Sequence, residues 1–182
     1  MNEIYRPEEL DRLGKAAFQS GNYAQAAEYF SAAGEGYRAL NDQLNAAEMA
    51  NNASVAFLKG GHPQAALEAA QGTDVIFEAA GDKRRQAMAL GNYAAALEGL
   101  DRVGEAIEHY EQADKLFKEI GEHELRAALL QSLSNLQFKS GRSFEGLANL
   151  NAGFEEGGKT SLKQRLLKFL TQLPLKYLTK SK

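Results

Sequence analysis

The chain contains no cysteine, which excludes disulfides, thiolate metal sites and thiol nucleophiles together and is compatible with a reducing cytosol. Proline occurs three times, and two of these, Pro7 and Pro63, sit where a first helical turn tolerates a missing N–H. No apolar run approaches the length needed to cross a bilayer. Met1 to Leu10 carries Glu3, Glu8 and Glu9 and lacks the apolar core of a signal segment. A soluble, cytoplasmic protein is expected. Strand-like alternation is also missing, so the chain reads as all-α. The last absence is local: no acidic residue follows Gly157. All 24 acidic residues precede it and seven of the 21 basic ones follow, leaving residues 1–156 at net −10 and the remainder at +7. A polarity this clean marks the basic end as a region with its own task.

What is present is a repeat. Gly21-Asn22-Tyr23-Ala24-Gln25-Ala26-Ala27 reads as a tight turn opening a helix with small residues on one face. It returns as Gly61-His62-Pro63-Gln64-Ala65-Ala66, as Asp101-Arg102-Val103-Gly104-Glu105-Ala106, and as Gly141-Arg142-Ser143-Phe144-Glu145-Gly146. A fixed period with turn chemistry in phase is the mark of a repeat array. Between these turns lie Asn41-Asp42, Gly81-Asp82 and Gly121-Glu122, each joining a residue that tolerates a left-handed backbone to an acid at the next helix start. Tyr37, Phe77 and Phe117 precede them in phase. The expected helices are 7–19, 23–40, 44–59, 63–80, 83–99, 103–120, 123–139 and 143–154. After Gly157-Gly158, Ser161-x-x-Gln164 offers a capping box for a further helix whose stripe is Leu162, Leu166, Phe169, Leu170 and Leu173, before Pro174.

Leu13-Gly14 in a first helix, with Ala26, Phe30 and Ala33 in the second, is the pattern of the tetratricopeptide repeat, and Ala106, Tyr110 and Ala113 repeat it. The second repeat (Ala66, Ala70, Thr73, with Ala53-Ser54) and the fourth (Gly146, Leu150, Gly153, with Leu133-Ser134) depart from it, but the period does not slip. Over residues 7–156 the chain therefore resembles the tetratricopeptide repeat (TPR) family, in its long-helix form. The resemblance implies a right-handed superhelical array of four antiparallel helix pairs, at about 7–41, 42–81, 82–121 and 122–156. A basic capping helix and tail over 157–182 would cover the last pair. Independently, small residues at 26, 33, 66, 106 and 113 allow helix axes to approach to about 8–10 Å, and each pair needs a neighbour to bury its apolar face.

In TPR proteins the first helices of successive pairs line a concave groove. Carried onto this chain, the groove positions are Arg12, Lys15 and Phe18; Glu48, Asn51, Asn52 and Val55; Met88, Asn92 and Ala95; and Gln131, Ser132, Asn135 and Phe138. Asn52 and Asn92 are in phase, with Asn135 one turn further on. An amide offers both donors and an acceptor, and the resemblance implies a ladder holding an extended peptide. The carboxylate clamp of chaperone-binding TPRs is not expected, because Met88 and Asn92 stand where cations are needed.

Other motifs carry less. Gly153-Phe154-Glu155-Glu156-Gly157-Gly158-Lys159-Thr160 satisfies the phosphate-loop pattern, but a helix rather than a strand precedes it and its two glutamates would repel phosphate. His62, His109 and His123 have no ligand spacing, and the last two are expected on solvated surfaces. No metal, cofactor or catalytic activity is expected. The reading is non-catalytic capture of a peptide or protein partner in the groove. The alternative is a self-associating or membrane-surface protein acting through the basic amphipathic C-terminal helix, with a homo-oligomer formed as the +7 tail meets the −10 array of another copy. Nucleic acid is excluded, because the acidic field opposes phosphate approach.

Overall fold

The computed structural model describes residues 6–157. Every regular element among the described residues is a helix: α1 (Pro7–Gln19), α2 (Tyr23–Ala39), α3 (Gln43–Lys59), α4 (Pro63–Ala70), α5 (Thr73–Ala79), α6 (Lys83–Gly99), α7 (Val103–Ile120), α8 (His123–Lys139) and α9 (Ser143–Glu156). They form four antiparallel pairs, α1/α2, α3/α4–α5, α6/α7 and α8/α9, and the described residues divide into two compact units between Glu122 and His123. The expected C-terminal capping helix and basic tail lie outside the described residues.

The turns explain the regularity. A residue of positive φ recurs every twenty positions, at Gly21, Asn41, Gly61, Gly81, Asp101, Gly121 and Gly141. Asn and Asp are the side chains that tolerate this conformation best after glycine. At each turn the next N–H reaches back five residues, as in Asn22 N–H to Ala17 O (2.9 Å), Asp82 N–H to Phe77 O (2.9 Å) and Arg142 N–H to Gln137 O (2.8 Å). That bond satisfies a carbonyl the helix end would otherwise orphan. Where the following residue is Asp42 or Asp82 it also caps the next helix: Asp42 Oδ1 accepts from Asn45 N–H at 3.1 Å and Asp82 Oδ1 from Arg85 N–H at 2.9 Å. Asn22 does the same for Gln25 N–H at 3.4 Å.

The small-aromatic-small pattern is the packing element. Ala26, Phe30 and Ala33 are buried in a cluster with Ala46, Met49, Ala53 and Ala56 of α3. In the same register Ala106, Tyr110 and Ala113 are buried in α7, and Gly146, Leu150 and Gly153 in α9. A Cβ at Gly153 would lie 3.2 Å from Leu130 Cβ, so α8 and α9 approach closely there. Ser134 Oγ bridges the same pair by donating to Gly146 O at 2.6 Å.

One expected helix is not continuous. Residues 63–80 divide into α4 and α5 at Gln71-Gly72, where Gly72 takes φ +75°. The in-phase residues of α2 and α7 are Ala33 and Ala113, each 0% exposed in a tight contact. Thr73 brings a β-branched side chain to that position, and the helix gives way beside it rather than overpack. Gly72 supplies the left-handed residue the detour requires. Thr73 Oγ1 donates to Ala70 O at 2.8 Å and lies 3.3 Å from the Asn51 amide. A hydroxyl has one proton, and the atom of Asn51 facing it is the acceptor Oδ1, so Ala70 O and Asn51 Oδ1 share that one donor, with the shorter bond to Ala70.

Candidate functional site

In the first unit the first helices of the pairs are α1, α3 and α6. A pocket of about 210 Å³ opens between α1 and α3, lined by Lys15, Phe18, Gln19, Phe30, Asn52 and Val55. Its apolar wall has a local cause. Phe18 is held edge-on against Tyr23, with ring centroids 5.3 Å apart, and Phe30 reaches across from α2 because Gly14 has no side chain to meet it. Lys15 and the Asn52 amide stand at the rim.

Four residues that the TPR resemblance places on the groove, Lys15, Phe18, Asn52 and Val55, thus come together. Asn52 and Asn92 are half-buried, and no hydrogen bond ties either amide to another described residue. Arg12 is exposed, 3.7 Å from Glu9, and Lys15 is exposed, 2.6 Å from Asp11. Both are same-helix pairs on the surface, each contributing about 0.2–1 kcal/mol, so both cations can exchange partners. Met88 is 38% exposed, with its sulfur 3.7 Å from the Arg84 guanidinium.

Two groove positions are otherwise engaged. Asn51 is 7% exposed and turned toward Thr73, so it supports the α4–α5 break instead of facing a ligand. Glu48 accepts from Arg85 at 3.1 Å, fastening α3 to α6. Arg85 also donates to Asp82 at 2.7 Å and lies 5.0 Å over the Phe77 ring. The Arg85 N–H, and then its guanidinium, hold the Asp82 carboxyl below its ordinary range.

In the second unit, Gln131 and Asn135 of α8 are exposed and Ser132 and Phe138 half-buried. Gln131 lies in a pocket with Leu150 and Phe154 rather than in phase with Asn52. His123 and Arg126 at the start of α8 both engage Glu156 at the end of α9. The hydrogen bond with His123, followed by the charge and hydrogen bond of Arg126, lowers the Glu156 pKa.

The remaining sequence candidates are placed as follows. Gly153 to Glu156, the first half of the phosphate-loop string, are helical in α9, so their N–H groups do not form a loop. His109 is half-buried, not solvated: its ring packs edge-on against Tyr93 at 4.9 Å, and its Nδ1 is buried. Among the described residues no three His, Asp or Glu side chains are grouped to hold a metal, and no helix is long and apolar enough to cross a membrane.

Paired helices at a forty-residue period, packed through small residues and leaving one face of α1, α3 and α6 open, define a TPR-like helical repeat array. The apo form of RapI superposes with TM-score 0.80 at 17% identity, covering 100% of this chain and 65% of that one. Aspartyl phosphate phosphatase F from Bacillus subtilis gives TM-score 0.76 at 17% identity, covering 96% and 45%. The nearly identical TPR-like repeats of a kinesin light chain from Podosopora anserina give 0.68 at 16%, covering 98% and 100%. The chain thus spans less than two thirds of the first two neighbours. No curated protein matches it in sequence. The family model of the soluble NSF attachment proteins (SNAP) matches residues 11–173, and the chain belongs to that family.

Proposed function

We propose that the chain is a non-catalytic interaction module that holds an extended peptide along the open face of α1, α3 and α6. The observation that carries this reading is the pocket in which Lys15, Phe18, Asn52 and Val55 converge. An apolar side chain entering it contributes about 1.5–3 kcal/mol by burial. Asn52 and Asn92 hold the peptide backbone, each bond contributing about 0.5–1.5 kcal/mol net. Arg12 and Lys15 leave their exposed same-helix partners for carboxylates on the ligand, and Met88 adapts to its side chains. Together with further backbone contacts these terms suit micromolar binding, which corresponds to about −8 kcal/mol.

The test is a peptide-display selection on the immobilised protein, with selected peptides then titrated into wild type and into Asn52→Ala plus Asn92→Ala. The double variant should bind about 5- to 150-fold more weakly, the loss of two such bonds. Selected peptides that bind both proteins equally would place recognition elsewhere.

A further inference from the structure

Behind α3 the first unit holds a second cavity, of about 220 Å³. Its floor is the alanine face of that helix: Ala46, Ala47, Ala50 and Ala53, all buried. At about 100° per residue, this face lies across the helix axis from Glu48, Asn52 and Val55, the positions assigned to the groove. From α2 come Gly34, Glu35 and Arg38, and from α4 come Glu68 and Ala69. Gln71 and Thr73, on either side of the break between α4 and α5, also line it. The next level of the array shows what is missing here. Forty residues on from Ala46, Ala50 and Ala69 stand Gln86, Leu90 and His109. Leu90 is buried in α6, and the His109 ring packs against Tyr93. Between α2 and α4 the chain thus supplies methyl groups where one level on it supplies an amide, a branched alkyl group and a ring.

The charges around the cavity are uncompensated. Glu35 and Arg38 are exposed and form no ion pair among the described residues, and Glu68 accepts there only from the neutral Gln64 amide, at 2.8 Å. Two carboxylates against one guanidinium leave the lining at net −1. We infer that this cavity is a binding site for a small organic cation that carries an aromatic ring. The ring lies on the alanine methyl groups, in the volume that the chain fills for itself one level on. A cavity of about 150 Å³ admits a benzene-sized guest, so the larger volume here takes a ring with a short aminoalkyl chain. Glu35 and Glu68, one carboxylate from each flanking helix, hold the ammonium group. Hydrogen bonds to a charged donor are roughly twice as strong as neutral ones, which selects an amine over a neutral ring of the same shape.

The test uses the full chain with carbon-13 in its alanine methyl groups and tyramine as the probe. Tyramine should shift the methyl resonances of Ala46, Ala50 and Ala69 along a saturable curve, half-complete at roughly 1 mM for a ligand of this size. Those of Ala106 and Ala113 in α7 should stay in place. The neutral analogue 4-ethylphenol, which keeps the ring and hydroxyl but lacks the ammonium, should bind at least about tenfold more weakly. Ala50→Leu installs the residue that α6 carries in phase and should abolish the saturable shifts of Ala46 and Ala69. Because added bulk can itself perturb folding, Glu35→Gln with Glu68→Gln supplies a second variant. Both side chains are exposed, so this pair should leave the melting temperature unchanged while weakening tyramine by at least about tenfold. Absence of a saturable shift at the floor methyls, equal affinity for tyramine and 4-ethylphenol, or full tyramine affinity in either variant would overturn the inference. The floor faces away from the groove, so none of these outcomes bears on the peptide reading.

Discussion

Two glycine-to-alanine substitutions should move stability in opposite directions, and their contrast isolates the packing between helices from the propensity of the helices themselves. Gly14 in α1 and Gly34 in α2 both lie inside helices, where alanine is favoured over glycine by about 0.8–1.0 kcal/mol. A Cβ at Gly34 would lie 3.5 Å from Met49 Cβ and 3.6 Å from Ala46 O, ordinary contact distances. Gly34→Ala should therefore stabilise the protein by about 0.5–1 kcal/mol. A Cβ at Gly14 would lie 2.7 Å from both Cδ1 and Cε1 of Phe30, against an optimum of about 3.5–4.0 Å. Phe30 is 3% exposed and clustered with Ala17, Ala26, Ala33 and Ala53, so its ring can yield only toward the pocket it lines, giving up those contacts. Overpacking of this kind costs about 1–3 kcal/mol, so after the propensity gain Gly14→Ala should be net destabilising by up to about 2 kcal/mol. Urea denaturation followed by circular dichroism reads both, as does melting, where each kcal/mol corresponds to roughly 2–4 °C. In a Gly14→Ala background, Phe30→Leu should cost less than it does in wild type, since the smaller side chain relieves the clash. Shifts of the same sign for the two alanines, or no coupling to Phe30, would refute the packing register.

Other consequences can be measured in the same way. Thr73→Val keeps the shape of the side chain but removes the hydroxyl bonded to Ala70 O and facing Asn51; a loss of about 1–3 kcal/mol is expected from urea midpoints. The Arg85–Glu48 pair is partly exposed, at 30% and 40%, so a double-mutant cycle with Arg85→Gln and Glu48→Gln should return a coupling below about 1 kcal/mol. The lowered pKa of Glu156 means its contacts with His123 and Arg126 stabilise the fold above the ordinary carboxylate value of 4.5, and that this contribution is lost as pH falls through the folded value. Glu156→Gln should therefore be less stable than wild type near pH 7, with the gap closing once the solution is more acidic than that, as urea midpoints across the acid range would show.

The helix pairs were legible because their punctuation is periodic. Asn41 and Asp101 stand in for glycine, and seven in-phase turns leave little freedom for the helices between them. The break at Gln71-Gly72 was hidden because Ala66, Ala70 and Phe77 keep helical spacing across it; Thr73 was the visible departure, and its effect depends on how tightly Ala33 and Ala113 pack at the same position. The groove assignment of Lys15, Asn52 and Val55 comes from the resemblance to the TPR family, whose groove positions are carried onto this chain; phase alone relates only Asn52 to Asn92. Asn51 shares the helix and the residue type with Asn52 but is rotated by about 100° around the axis, which turns it toward α5. Glu48 is claimed by Arg85, a partner 37 residues away that periodicity does not announce, since the in-phase residues Asn45 and Leu125 carry no charge. His109 next to glutamates reads as solvated, and only the three-dimensional fold brings Tyr93 over its ring.

The proposed hold of Asn52 and Asn92 on a peptide, beside the pocket formed with Lys15, Phe18 and Val55, can be read by titrating a display-selected peptide into protein carrying nitrogen-15 in its asparagine side chains and following the amide resonances. The Asn52 and Asn92 signals should shift together and saturate at the affinity measured by calorimetry, while that of Asn51, engaged with Thr73, stays in place. Saturation of binding with Asn52 and Asn92 unmoved would contradict it.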